Sequence, residues 1–213
     1  EQFHNARYNP MDYYLEALNR DPGDIRTNTA VGNFYLRNGD YINARKYLSA
    51  AIKRLTKDYT RPKECEPLSL QGLNLKALEL YDEAIDTLYR ASWDYAFTAA
   101  SYFELARISV LQGDLLKALA QINESLATNA RNNNAISLKA SILRKMGDFV
   151  AAAKTLEPIL ESDPLDFRAA NESYLIAKES GNSQKAEKEL KSVTRKLRNF
   201  DQNYLELAIG YFN

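Results

Sequence analysis

Apolar side chains recur along this chain at helical spacing, in short stretches separated by tight polar breaks. Val31, Phe34, Tyr35 and Leu36 make one stretch, and Tyr41, Ala44, Tyr47, Leu48, Ala51 and Ile52 make the next. Positions three and four apart share one face of a helix, so the pattern predicts two amphipathic helices. Between them stands Asn38-Gly39-Asp40. Glycine suits the positive φ that ends a helix, and the aspartate beside it caps the next by accepting a free N–H group. The break returns as Gln112-Gly113-Asp114, Met146-Gly147-Asp148 and Ser180-Gly181-Asn182. One break, Glu79-Leu80-Tyr81-Asp82, has no glycine. Its turn is expected to be made differently or at some cost.

The stretches repeat with a fixed period. Ala84, Ala118, Ala152 and Ala186 are spaced by 34, as are Gly113, Gly147 and Gly181, and Tyr81, Leu115 and Phe149. Gly72, Ala106 and Ala140 share the spacing, and Tyr174 and Ala208 follow in register. Ala44 precedes Ala84 by 40, so the first full unit carries an insertion. A helix pair this short cannot bury its apolar face alone, whereas stacked pairs form a continuous core. Small residues belong where two helices cross closely. Gly32, Gly72, Ala106 and Ala140 fill that place on first helices, and Ala44, Ala84, Ala118, Ala152 and Ala186 on second ones.

A 34-residue helix–turn–helix with small residues at its eighth and twentieth positions resembles the tetratricopeptide-repeat (TPR) family. Asp21-Pro22 and Asp163-Pro164 match that family's habit of ending the second helix at proline. The resemblance implies an all-α, right-handed superhelical solenoid running as one array over 1–213. It comprises a partial unit 1–24, units 25–64, 65–98, 99–132, 133–166 and 167–200, and a partial unit 201–213. The large aromatic usual near the family's fourth position is replaced by Asn28, Leu68, Tyr102, Ile136 and Ala170, and Tyr174 stands where a small residue is usual. The stretch from Ala91 through Trp93 to Ala106 also resembles the TPR region at the C-terminal end of large bacterial proteins with β-rich, carbohydrate-active-like N-terminal parts.

At the start, Asp12 to Arg20 reads as the second helix of an earlier unit, with Pro10 in its first turn. At the end, Tyr204 to Phe212 reads as a first helix with no second after it, apolar around much of its circumference through Leu205, Leu207, Ile209 and Phe212. Flanking repeats or another domain are therefore expected, and in isolation self-association through the exposed ends. Thr56 to Pro67, with Pro62, reads as a loop or lengthened helix end: a tolerated insertion or a lid.

Charge narrows the function. Lys plus Arg number 28 and Asp plus Glu 28, which argues against nucleic acid as the main partner. The segment 178–198, with seven Lys/Arg against three Glu, is locally basic: a solvated helix, or a surface for an anionic partner. No apolar run approaches the length of a membrane span, so no membrane insertion is expected. His4 is the only histidine and Cys65 the only cysteine. A thiol without a nearby base is a poor nucleophile, and two such residues do not make a zinc site. With no phosphate loop and no GxSxG motif, we expect no catalytic residue, no metal and no cofactor.

By the resemblance, a partner lies on the concave face, at the second, fifth, ninth, twelfth and thirteenth positions of first helices. These include Arg26, Thr29, Asn33 and Arg37; Ser69, Leu73 and Lys76; Phe103, Arg107 and Val110; Asn134, Ser137, Ser141, Arg144 and Lys145; and Arg168, Asn171, Leu175 and Lys178. Aromatic and arginine side chains dominate binding hot spots. The expected anchor is therefore Phe103 with Arg107, supported by Lys76, Phe97 and Arg144, with Asn33 and Arg37 further along; alternatively Phe103 packs on Trp93 or Phe97 as core. The carboxylate clamp of chaperone-binding TPR proteins does not fit, since Leu70 and Glu104 occupy its places and only Asn33 matches. The expected function is a scaffold that binds a protein or peptide in the groove. The alternative is a non-catalytic accessory segment of a larger, carbohydrate-active bacterial enzyme; a catalytic motif elsewhere in the parent sequence would separate the two.

Overall fold

The structure, a computed structural model, describes residues 9–58, 61–62, 64–198 and 200–212, with side chains described as far as 209 in the last helix. His4 lies outside the described residues, as do Tyr59, Thr60 and Lys63 of the expected loop. Twelve helices account for the described elements, with no strand among them: α1 (Pro10–Arg20), α2 (Ile25–Arg37), α3 (Tyr41–Leu55), α4 (Glu66–Ala77), α5 (Tyr81–Ala91), α6 (Tyr95–Leu111), α7 (Leu115–Thr128), α8 (Asn133–Lys145), α9 (Phe149–Ser162), α10 (Phe167–Glu179), α11 (Ser183–Leu197) and α12 (Asp201–Phe212).

The breaks work as their residues dictate. Gly39, Gly113, Gly147 and Gly181 have φ between +76° and +85°. The next residue then caps the following helix. The Asn43 N–H donates to Asp40 at 3.1 Å, Lys117 N–H to Asp114 at 3.0 Å, Ala151 N–H to Asp148 at 2.9 Å and Lys185 N–H to Asn182 at 3.0 Å. The glycine-free break keeps the same geometry without the suited residues. Glu79 takes the left-handed conformation at φ +60°, and Leu80 opens α5 with no side-chain cap. The expected cost therefore falls on a strained glutamate and an uncapped helix start. Leu80 offsets part of it by packing on the core.

Contacts divide the chain into two compact units that part within α6, one up to Ile108 and one from Ser109. In the first, α2 packs on α3, α3 on α4, and α4 on α5, while α2 also touches α4. The small residues on its first helices are required. A Cβ at Gly32 would stand 2.6 Å from Leu48 Cγ, and one at Gly72 would stand 2.5 Å from Leu88 Cδ2. Leu75, Ala84, Leu88, Leu105 and Ile108 form one core cluster. Cys65, Leu68 and Ala91 form another. The helix α6 starts four residues before the expected unit boundary at Ala99. The Asp94 carboxylate makes that start, accepting the Ala96 N–H at 3.0 Å and, from the head of α4, the Cys65 N–H at 3.2 Å.

In the second unit α7 packs on α8, α8 on α9, α9 on α10 and α10 on α11, and α8 touches α10. Ala140, Leu143, Ala152, Leu156, Ile159, Ala169 and Ile176 form its main core. The place filled by a small residue elsewhere is Tyr174 here, packed beside Leu207 of α12 on Ala170, Val193 and Leu197. On α12, Tyr204, Leu205 and Ile209 remain exposed.

Candidate functional site

In the first unit the first helices α2 and α4 lie side by side, and an ion pair ties α4 to α6. Each turns one side to the core and the other to solvent. On α2, Asn28, Val31 and Gly32 are buried, and Arg26, Asn33 and Arg37, at spacings of seven and four, lie along the other side; Thr29, a groove position by register, is nevertheless buried. On α4 that side carries Leu73 and, at its edge, Lys76; on α6 it carries Phe103 and Arg107.

The α4–α6 contact is electrostatic. Lys76 Nζ donates to Glu104 Oε2 at 2.6 Å, and Arg107 Nη1 donates to Glu104 Oε1 at 3.1 Å. All three side chains are at least four-fifths buried. Burial pulls the Lys76 ammonium below its ordinary pKa, against the opposing pull of Glu104. The Arg107 guanidinium also stands 5.8 Å from the centre of the Phe103 ring. Phe103 and Arg107 therefore form one unit, held by a carboxylate from behind.

Phe97, expected beside that pair, is placed differently. Six helical positions turn it well away from Phe103, and it packs with Ile52 on the Cys65, Leu68 and Ala91 cluster. Arg144, also expected to contact a partner, is engaged internally. Its side chain is 3% exposed. It donates from Nε to Glu172 Oε1 at 2.5 Å, from Nη1 to Glu179 Oε1 at 2.5 Å and from Nη2 to Ser141 Oγ at 3.4 Å. Burial opposes its charge, but the bonds and charges of the two glutamates outweigh that and raise its pKa. Arg144 thus joins α8 to α10 and is not a free anchor.

Around it lies a cleft of about 490 Å³, lined by Arg144 and Lys145 of α8, Asn171, Leu175 and Glu179 of α10, and Tyr204, Leu207 and Ala208 of α12. Sequence reasoning names four of these groups. It omits Glu179 and the α12 wall, because the resemblance supplies groove positions helix by helix and not the partners that set their exposure. It also omits the two ion pairs, though a signal exists. Lys76–Glu104 and Arg144–Glu172 each span 28 residues and stand two repeat lengths apart.

Cys65 is wholly buried, and burial first, then Asp94, pushes its thiol up. That is the reverse of what a nucleophile needs. No cluster of three metal-ligating side chains occurs among the described residues, and no described helix is long and apolar enough to cross a membrane.

Comparison with known proteins agrees with this architecture. Residues 25–54 match the tetratricopeptide repeat. The fold is similar to that of PilW, a widely conserved type IV pilus biogenesis factor, with a TM-score of 0.76 at 17% identity, covering 92% of this chain and 89% of that one. It is similar to YrrB, a TPR protein with an unusual peptide-binding site, with a TM-score of 0.67 at 15% identity, covering 91% and 96%. It is also similar to MamA, with a TM-score of 0.68 at 19% identity, covering 82% and 92%. The recurring αL-turn, the side-chain caps, the small residues under Leu48 and Leu88, and these likenesses all describe one repeat: residues 25–54 match a tetratricopeptide repeat, and the chain has the all-α solenoid fold of tetratricopeptide-repeat proteins.

Proposed function

We propose that this chain is a polypeptide-binding scaffold whose ligand lies across the solvent side of the first helices. The observation that carries this reading is the Phe103–Arg107 pair. A half-buried aromatic ring with a guanidinium 5.8 Å from its centre, on the solvent side of a first helix, is the kind of group that anchors protein interfaces. Glu104 fixes Arg107 in advance, so little side-chain entropy is lost on binding. Lys76, Asn33 and Arg37 extend that surface, and the cleft beside Lys145, Asn171 and Leu175 offers a second contact area. The peptide-binding site named for YrrB supports the same use of the fold.

The test is affinity capture from the source organism's lysate, read by mass spectrometry. The two baits are this chain and its Phe103→Asp/Arg107→Glu variant, matched for helical circular dichroism. A partner held by the first and lost by the second is expected. Equal capture by both baits would remove the proposed anchor.

A further inference from the structure

We propose that the solvent side of α2, α4 and α6 in the first unit takes an acidic polypeptide segment that also carries an aromatic or large aliphatic side chain, which packs on Phe103. This rests on the polypeptide-binding reading and adds the chemistry of the partner.

The case begins with charge. The chain is neutral overall, yet its cations and anions are unevenly placed. Helix α2 carries Arg26 and Arg37 and no acidic residue between its ends; the Asp24 carboxylate at its N-cap offsets Arg26, and none stands beside Arg37 within the helix. Helices α4 and α6 add Lys76 and Arg107, and their only carboxylates are Glu66, in the first turn of α4, and Glu104. Glu104 is 9% exposed and faces two cations at once, so it neutralises one charge and leaves the pair with an excess. Arg26 and Arg37 are exposed. The result is a net positive face on a molecule of zero net charge, which favours an anionic partner and repels a cationic one.

Placement sharpens this. Arg37, Lys76 and Arg107 all fall in the C-terminal halves of their helices. That position complements each helix dipole. It accounts for where the cations sit, but not for the lack of carboxylates on α2. Packed helices lie about 8–10 Å apart, so an extended strand of roughly six residues crosses all three. Two or three carboxylates on such a strand would meet Arg37, Arg107 and Lys76, and one apolar side chain would cover Phe103. A phosphodiester strand fits less well. Its charge is continuous and calls for more cations than this face offers, two of them shared with Glu104.

The test pans a random dodecapeptide phage library against the full chain, then measures the selected peptides, synthesised with a fluorophore, by anisotropy. Selected peptides should be rich in Asp and Glu and contain an aromatic or large aliphatic residue. Their affinity should fall about tenfold or more in Arg26→Glu/Arg37→Glu, which alters only exposed positions, in Arg107→Gln and in Phe103→Ala, and should weaken as salt rises. Peptides that depend on Phe103 but show no acidic enrichment would overturn the acidic partner while leaving groove binding intact. Selection of peptides indifferent to every one of these substitutions, or of none, would overturn both readings. A fluorescent single-stranded oligonucleotide that binds this face more tightly than the selected peptides would overturn the proposal in favour of nucleic acid.

Discussion

The Arg144–Glu172 pair allows a quantitative test of what holds α8 to α10. Both side chains are nearly sealed from water, at 3% and 2% exposure. Arg144→Val would leave the Glu172 carboxylate buried without its guanidinium, and Glu179 would lose the same partner. Removing one member of a buried pair costs about 3–5 kcal/mol, because the remaining charge keeps its desolvation penalty and loses its compensation. Replacing both members with apolar groups of suitable size is close to neutral or stabilising. This chain supplies the template, because one repeat length earlier the two positions are Val110 and Leu138. Arg144→Val/Glu172→Leu should therefore recover most of what Arg144→Val alone loses. In a repeat array stability is roughly a sum of units and nearest-neighbour interfaces, so the damage should be local. Hydrogen exchange on the full chain is the assay. In the single variant, amides of α8 and α10 should exchange faster by about two to four orders of magnitude, while those of α2 to α4 keep their protection. A single variant within about 0.5 kcal/mol of the parent, or a double variant no better than the single, would refute the reasoning.

Three further outcomes follow from the same geometry. Glu79→Gly relieves the left-handed strain at φ +60° and should raise stability by about 1 kcal/mol in urea denaturation; no gain would mean that the turn is already relaxed. Gly72→Ala places a methyl group 2.5 Å from the buried Leu88 side chain and should cost about 1–3 kcal/mol, seen as a lower melting temperature. Acid should destabilise the fold. Glu179 is held below its ordinary 4.5 by the Arg144 hydrogen bond, and Asp24 and Asp40 below 3.8 by bonds from Thr27 and Asn43. A carboxylate depressed in the folded state contributes stability above its unfolded pKa and loses it as pH falls through the folded value. The urea midpoint should therefore hold near neutral pH and drop below about pH 4.5, with Glu179→Gln showing a shallower fall.

Most of the architecture was legible in the chain itself. Helix faces, breaks and caps are local matters, set by side chains three and four apart and by residues such as Gly39 and Asp40 that tolerate or satisfy one backbone geometry. The 34-residue period extends that local code into an array, which is why even Tyr174 and the start of α1 could be placed in register. Helix starts were read less well where a long-range partner intervenes. Asp94 reaches Cys65, far away in sequence, and α6 begins early.

The candidate site divides in the same way. Register alone assigns Arg26, Asn33, Arg37, Phe103 and Arg107 to the solvent side of first helices, because the side of a helix follows from its period. Exposure does not follow from period. Arg144 occupies a groove position and is nevertheless buried, because Glu172 and Glu179 from another helix close on it. The same spacing recurs at Lys178 and Glu206, yet Lys178 stands over the Tyr174 ring at 5.9 Å. Sequence thus determined which side each residue takes, since that depends on the chain's own helical geometry. Tertiary structure alone decided which charges are spent on neighbouring helices and which remain for a partner, since that depends on distances between helices.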